Sequence, residues 1–218
     1  MALVAFDFDG TLSQSDMTVL LGEEAGVGDE MSGLLEQGRR GDLGVGESLR
    51  QRVALLEGVQ TRQVDAAFDR ISLRAGAADL IGDLRRSGHH VAILTGSFER
   101  GVERALEAAG IAVDDIVANR LVVENDALTG ELEGPLLEGK KDGPLGEIAT
   151  RAGIDLGRAI AVGDTRSDLP MLQVAGTAIG FAPDSVVEQH CDVVVTSIRR
   201  LRLYFEQHEI VDLPEGEQ

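Results

Sequence analysis

The sequence has almost no lysine. Lys140 and Lys141 are its only two lysines in 218 residues, and the other 18 basic residues are arginines. The pair lies just before a predicted helix. A lysine ammonium is a compact point charge that fits a tight site where the larger guanidinium of arginine does not. The alternative is a chance pair on the surface.

Cysteine, aromatic residues and long apolar runs are also scarce. Cys191 is the only cysteine, which excludes an internal disulfide. Aromatic residues make up 3% of the chain, so aliphatic side chains must form the core. No apolar run approaches the 18 residues of a membrane-spanning helix, and no signal-peptide pattern is present. We therefore expect a cytoplasmic protein that does not enter membranes.

Positive charge is scarce as well. The chain has 38 acidic and 20 basic residues, a net charge of −18 and a pI of about 4.5. No basic face is available for nucleic acid, so we expect no such partner. The acid excess and the lack of lysine favour adaptation to a salt-filled, halophilic cytoplasm, where ions screen self-repulsion. A GC-rich genome would explain arginine in place of lysine but not the acid excess.

Short apolar runs alternate with helical patterns along most of the chain. Runs at 3–6, 91–94 and 159–162 are typical of buried parallel strands, and helical patterns precede the last two. Further strands are expected near 115–118, 177–181 and 192–195. The pattern predicts an α/β fold with a doubly wound, Rossmann-like parallel sheet.

Two segments depart from this alternation. Residues 13–72 have no strand pattern, but helical patterns at 17–26, 47–57 and 61–71, with a glycine-rich stretch between the first two. We interpret this segment as a small helical cap inserted into a core of residues 1–12 and 73–218. Residues 120–134 predict a β-hairpin, and the acidic tail is expected to fray.

Polar side chains follow three of the predicted strands. Asp7 and Asp9 follow the first, Thr95 and Gly96 the second, and the motif starting at Gly163 follows the run at 159–162, with Asp164 and Asp168. In open α/β sheets ligands bind at the carboxyl ends of the strands, so these groups should converge. Clustered carboxylates suit Mg²⁺, which pairs with substrate phosphate. Unrelated surface acids are the alternative.

A phosphate dianion beside these carboxylates needs more positive charge than one Mg²⁺ supplies. A lysine in front of a helix would add a compact cation, and the helix N-terminus would add amide donors. The Thr95 hydroxyl would add a further hydrogen bond. The two lysines thus have an expected role at the same site.

Four motifs carry a resemblance to the haloacid dehalogenase (HAD) superfamily: DFDGT (7–11), LTGS (94–97), GKKDG (139–143) and GDTRSD (163–168). The resemblance implies that Asp7 is the nucleophile and Asp9 the general acid and base. It also implies a phosphoryl site at Thr95, Gly96 and one lysine, preferably Lys141. The implied magnesium ligands are Asp7, Asp164 and the backbone carbonyl of Asp9, with Asp168 in support. An aspartate at position 9 favours a phosphatase or phosphomutase.

Within this superfamily the chain is most similar to the phosphoserine phosphatases. LGEEAGV (21–27) and ESLRQRVALL (47–56) resemble cap helices of that family. The resemblance implies that Asp16 binds the substrate ammonium and Arg52 its carboxylate, a group that arginine can grip with two hydrogen bonds. The alternative for Arg52 is an exposed residue paired with Glu47 or Asp65.

Four positions differ from the usual pattern of that family. Asp16 replaces glutamate, Arg39 and Val45 replace methionine and phenylalanine, and Ser167 replaces an asparagine expected near the substrate phosphate. The catalytic motifs are unaffected. The differences concern the shape and charge of the substrate.

The expected function is Mg²⁺-dependent hydrolysis of a small phosphomonoester through an aspartyl-phosphate. O-phospho-L-serine is the first candidate, giving L-serine and phosphate in serine biosynthesis. The alternatives are another small phosphomonoester, transfer to a second alcohol, and a non-enzymatic phospho-acceptor like a receiver domain. The sequence leaves the oligomeric state open.

Overall fold

The computed structural model of the protein describes residues 1–211, so the predicted fraying of the acidic tail lies outside the described residues. A seven-stranded sheet forms the centre, in the order β4-β3-β2-β1-β5-β6-β7. Its strands are β1 (Leu3–Phe6), β2 (His90–Phe98), β3 (Asp115–Glu124), β4 (Ala127–Glu133), β5 (Ala159–Gly163), β6 (Thr177–Phe181) and β7 (Val193–Val195). All neighbouring pairs are parallel except β3 and β4. The predicted fold class is confirmed.

Helices cover both faces of the sheet. They are α1 (Met17–Ala25), α2 (Gly28–Arg40), α3 (Val45–Ala54), α4 (Thr61–Phe68), α5 (Ala77–Arg86), α6 (Glu99–Ala108), α7 (Asp142–Ala152), α8 (Leu169–Val174), α9 (Ser185–Glu188) and α10 (Ile198–Gln207). Side chains of β1 alternate between two cores, with Val4 and Phe6 in one and Leu3 and Ala5 in the other. Helices α5, α6 and α10 contribute to the first core, and α7, α8 and α9 to the second. No described helix is long and apolar enough to cross a membrane.

Four helices, α1 to α4, lie between β1 and α5. Helix α2 was not predicted, and the glycine-rich stretch of residues 38–46 begins inside it. The glycines allow close packing: a Cβ on Gly38 would lie 2.5 Å from Ser48 Oγ, and one on Gly22 would lie 2.8 Å from Met31 Cβ. At Gly22 and Gly38 glycine permits contact between helices, whereas Gly41, with φ of +82°, ends α2.

Strands β3 and β4 form the predicted hairpin. Asn125 and Asp126 make its turn with φ of 49° and 62°, the left-handed conformation that a tight hairpin requires. Leu128 of β4 exchanges two backbone hydrogen bonds of 2.8 Å with Gly58 and Val59. The hairpin is thereby attached to the segment between α3 and α4.

Candidate active site

The carboxyl ends of β1 and β5 bring three aspartates together. Asp7 follows β1 directly, and its amide donates to the carbonyl of Val162 at 2.9 Å. Asp7, Asp164 and Asp168 each place one carboxylate oxygen within 4.8 Å of the others. The cluster lies at the edge where the sequence predicted it.

Lys141 lies inside this cluster. It precedes α7 as its N-cap residue and is completely buried. Its Nζ donates to Asp7 Oδ1 and to Asp168 Oδ1, both at 2.5 Å. Burial opposes the ammonium charge, but the carboxylates of Asp168 and Asp7 outweigh it and raise the pKa of Lys141. Lys140 is exposed, so Lys141 is the lysine that reaches the cluster.

Asp168 holds the cluster in place. Its Oδ2 accepts backbone hydrogen bonds from Asp164 at 2.9 Å and from Thr165 at 2.8 Å, while Oδ1 accepts from Lys141. A Cβ on Gly163 would lie 2.5 Å from the Asp168 Cβ, so only glycine fits there. Because both of its oxygens are engaged, Asp168 orients Lys141 and the loop after β5.

Asp9 has one free oxygen. Its Oδ2 accepts from the backbone amide of Met17 at 3.1 Å, at the start of α1, whereas its buried Oδ1 has no hydrogen-bond partner in the described chain. Burial raises the pKa of Asp9, with further contributions from Asp16 and Asp7. A raised pKa suits a general acid, and a proton carried on Oδ1 would have no competing acceptor among the described residues.

Two further carboxyls of the site, Asp7 and Asp164, also have raised pKa values. Burial, and then the charge of Asp168, raises the pKa of Asp7 to about 7 against the opposing effect of Lys141. Burial raises the pKa of Asp164, helped by Asp7 and Asp168. A divalent cation would relieve this repulsion, and the donors are all oxygens, which Mg²⁺ prefers. The residues present thus fit a magnesium ion.

Thr11 and Gly10 position Asp164. The Thr11 hydroxyl donates to Asp164 Oδ1 at 2.9 Å. Gly10 has φ of +90°, and a Cβ there would lie 2.3 Å from Asp164 Oδ2. Neither residue was assigned a role from the sequence, although both belong to the DFDGT motif.

Thr95 and Gly96 lie in the second half of β2, at the same edge of the sheet as the aspartates. Thr95 is buried, and its Oγ1 accepts from the amide of Ser97 at 3.1 Å, which leaves its proton available. Asn119, which was not predicted, donates to the Gly96 carbonyl at 2.8 Å and accepts from the Leu136 amide at 2.9 Å. Asn119 thereby connects the part of β2 that carries Thr95 to the segment that leads to Lys141.

Asp16 and Arg52 lie together in the helical segment. Asp16 Oδ1 caps α1 by accepting from the Thr18 amide at 2.9 Å and also accepts from the Thr18 hydroxyl at 2.5 Å. Arg52 Nη1 lies 2.6 Å from Thr18 Oγ1 and 3.7 Å from Asp16 Oδ1. Thr18 was not predicted. Asp16 Oδ2 and Arg52 Nη2 are left without a hydrogen bond among the described residues.

The alternative that Arg52 pairs with Glu47 or Asp65 is wrong. Glu47 accepts from Gln51 at 2.5 Å. Asp65 forms its ion pairs with two arginines of α6, Arg100 and Arg104.

A cavity of about 110 Å³ joins the two groups of residues. This volume suits a small substrate. The departures Arg39 and Val45 line it, and Ser167, whose hydroxyl lies 2.9 Å from that of Thr165, lines it too. The predicted residues on its walls are Asp7, Asp9, Asp16, Arg52, Thr95, Gly96 and Ser167.

Comparison with known proteins identifies the family. The profile of the haloacid dehalogenase-like hydrolases matches residues 4–173. The chain belongs to this family. A phosphoserine phosphatase of Halobacterium salinarum is 46% identical, over 96% of this chain and 100% of that protein. One of Methanocaldococcus jannaschii is 35% identical, over 88% of this chain and 91% of that protein.

Solved structures agree with this membership of the haloacid dehalogenase-like hydrolases. A phospho-aspartyl intermediate analogue of phosphoserine phosphatase superposes with a TM-score of 0.88 at 33% identity, covering 93% of this chain and 98% of that one. A substrate-bound phosphoserine phosphatase complex gives the same TM-score and identity, covering 93% of this chain and 97% of that one. The family expected from the four motifs is confirmed.

Proposed function

We propose that this protein is a phosphoserine phosphatase that hydrolyses O-phospho-L-serine to L-serine and phosphate through an aspartyl-phosphate. The observation that carries the proposal is the pairing of Asp7 with Asp9 in one small cavity. Asp9 keeps a buried oxygen free, and burial raises its pKa. The phosphoserine phosphatase relatives support the same reaction.

In the first step a carboxylate oxygen of Asp7 attacks phosphorus, and the bond from phosphorus to the serine oxygen breaks. Asp9 gives its proton to the departing alkoxide, so L-serine leaves as an alcohol. Asp9 then takes a proton from water, which attacks the phosphoryl group and releases phosphate. Asp7 is regenerated as a carboxylate and Asp9 as an acid.

The remaining residues balance charge around the phosphoryl group. Asp7, Asp164 and the backbone carbonyl of Asp9 would hold Mg²⁺, with Asp168 in support. The bound ion would supply positive charge next to the phosphoryl oxygens. Lys141 contributes a second cation, and the Thr95 hydroxyl and the Gly96 amide contribute hydrogen bonds.

Residues 13–72 act as a cap on a core of residues 1–12 and 73–218. The cap supplies Asp16 for the substrate ammonium, through Oδ2, and Arg52 for its carboxylate. When the cap is closed over the cavity, it excludes bulk water from the reacting groups. The enzyme then contributes to serine biosynthesis in the cytoplasm. Hydrolysis of another small phosphomonoester is the second candidate, because Arg39, Val45 and Ser167 change the cavity wall.

The test is phosphate release from O-phospho-L-serine and a panel of other phosphomonoesters, with Mg²⁺ at low and high KCl. We expect O-phospho-L-serine to have the highest kcat/KM, EDTA to abolish release, and Asp7→Asn to be inactive. L-serine formation that requires an added alcohol acceptor, with the phosphoryl group recovered on that alcohol rather than as free phosphate, would identify a transferase instead. A phosphoaspartate that persists in the wild-type protein would identify a phospho-acceptor domain.

A further inference from the structure

Two arginines of the active-site cavity make no direct hydrogen bond or ion pair with a described residue, although the charge of Arg39 opposes the rise in the pKa of Asp164. Arg39, at the end of α2, and Arg166, in the loop after β5, both line the cavity. Neither side chain makes a hydrogen bond or an ion pair with any described residue, and Arg166 Nε is buried without an acceptor. The adjacent Arg40, in contrast, pairs with Asp42 at 3.1 Å.

The two guanidinium groups border the same cavity. A Cβ on Gly41 would lie 3.3 Å from Arg166 Cζ, so the Arg166 guanidinium lies against the backbone that ends α2. Arg39 is two residues earlier on that final turn. Like charges that line one cavity repel each other, and an anion bound by both would remove this cost.

The end of α2 does not itself require these arginines. Two of its four terminal carbonyls, those of Gln37 and Gly38, accept from the amides of Asp42 at 2.9 Å and Gly41 at 3.1 Å. Arg40 already places a positive charge at the negative end of the helix. The free donors of Arg39 and Arg166 are therefore available to a ligand.

Phosphoserine has no further negatively charged group for Arg39 and Arg166 to bind. In the proposed function Lys141 and Mg²⁺ face the scissile phosphate, and Arg52 takes the one carboxylate. Two further guanidiniums, with planar forks of donors, match the charge and geometry of a phosphate dianion better than a second carboxylate.

We propose that Arg39 and Arg166 bind a second phosphate group, so that the enzyme also hydrolyses small bisphosphorylated carboxylic acids. The inference rests on the proposed function, since it uses the same cavity and nucleophile. The nucleophile attacks one phosphate while the arginines hold the other. The two residues thus determine specificity and are not part of the chemical step.

The test compares kcat/KM for 2,3-bisphosphoglycerate and 3-phosphoglycerate, which differ by one phosphate group. In the wild-type protein we expect the bisphosphate to be hydrolysed at least as efficiently. The double variant Arg39→Gln/Arg166→Gln should lower the ratio of the two values by about 10- to 100-fold, as expected for the loss of charged hydrogen bonds. Each single variant should lower it less.

Matched variants separate binding from folding. Arg40→Gln removes the neighbouring charge outside the cavity and should leave the ratio unchanged. Arg39→Lys and Arg166→Lys should retain part of the preference, because the charge remains without the planar fork. Thermal melts check that each variant is folded.

Two results would overturn the inference: a wild-type enzyme inactive on the bisphosphate, or a ratio that the double variant leaves unchanged. Either could occur while O-phospho-L-serine is still hydrolysed, in which case the proposed function survives. No release from O-phospho-L-serine would remove the proposed function itself.

Discussion

Asp9 is the residue whose substitution tests the chemistry most directly. Asp9→Asn keeps the hydrogen bond from the Met17 amide but cannot give up or take a proton at the free oxygen. We expect kcat to fall by about 10²- to 10⁴-fold, with phosphate retained on Asp7 because water is no longer activated. Acid-quenched protein exposed to labelled substrate should carry the label. Full turnover in Asp9→Asn would rule out the acid–base role.

The two lysines offer a matched pair of variants. Lys141→Met leaves Asp7 and Asp168 facing each other without their shared cation, so we expect a loss of about 3–5 kcal/mol in the free energy of unfolding and no measurable phosphate release. Lys140→Met removes an exposed charge and should change neither quantity appreciably. Urea unfolding and phosphate release measure the two effects. Equal effects of the two substitutions would contradict the role of Lys141.

Residues with local motifs were predictable, and residues that act over long sequence distances were not. Asp7, Asp9 and Asp164 each follow an apolar strand, so their convergence follows from the topology of a parallel sheet. Asn119 connects backbone groups 23 and 17 residues away, and nothing in its immediate sequence indicates those partners. Thr18 is similar, because its bond to Arg52 spans 34 residues.

At the scale of elements, α2 shows why a glycine pattern can mislead. Glycine weakens an isolated helix, so residues 28–40 did not stand out as helical. Packing decides the outcome instead: Gly38 lies against Ser48, whose hydroxyl donates to the Leu34 carbonyl at 2.9 Å and has little freedom to move. The strands were easier to predict because burial on both faces leaves uninterrupted apolar runs.

Two glycines of α2 should respond to alanine in opposite ways. Gly33 has nothing within 4 Å of a built Cβ, so Gly33→Ala should raise the free energy of unfolding by about 0.5–1 kcal/mol. Gly38→Ala places a methyl group 2.5 Å from Ser48 Oγ and should lower it by about 1–3 kcal/mol. Denaturant unfolding measures both. If Gly38→Ala were as stabilising as Gly33→Ala, α2 and α3 would not pack as described.

His89 joins the two ends of the described chain. Its Nδ1 accepts from the Ala2 amide at 3.1 Å, and its Nε2 lies 2.7 Å from the Ile210 carbonyl, to which it donates as the neutral tautomer. A proton on Nδ1 would break the bond to Ala2. Burial lowers the pKa of His89 below its ordinary value of 6.5.

The lowered pKa of His89 predicts that its contacts with Ala2 and Ile210 are sensitive to acid. As the pH falls below about 6.5, the unfolded chain binds a proton that folded His89 does not, so stability is complete above that pH and decreases below it. One proton contributes at most about 1.4 kcal/mol per pH unit, and partial exposure reduces the effect. His89→Gln should show a smaller decrease between pH 7 and 5 than the wild type. His190→Gln, at an exposed histidine, is the control, and an equal decrease in both variants would contradict the prediction.

At the scale of the whole molecule, composition predicts a behaviour that no single contact explains. The net charge of −18 is spread over a surface on which exposed acids such as Glu36, Glu107 and Glu124 form no ion pair with a described residue. Their repulsion reaches about 10 Å at 0.1 M salt but only about 3 Å at 1 M. Added salt should therefore stabilise the folded chain, which is the more compact and more strongly self-repelling state.

Thermal melts between about 0.1 and 3 M KCl test this. We expect the Tm to rise by roughly 5–10 °C, equivalent to about 2–3 kcal/mol for a chain of this size. The triple variant Glu36→Gln/Glu107→Gln/Glu124→Gln should melt higher than the wild type at 0.1 M and gain less from salt, because it has less repulsion to screen. A wild-type Tm that stays level or falls would mean that the acid excess does not serve salt adaptation. A triple variant with an unchanged salt response would mean that the stabilisation by KCl does not come from screening of these surface charges.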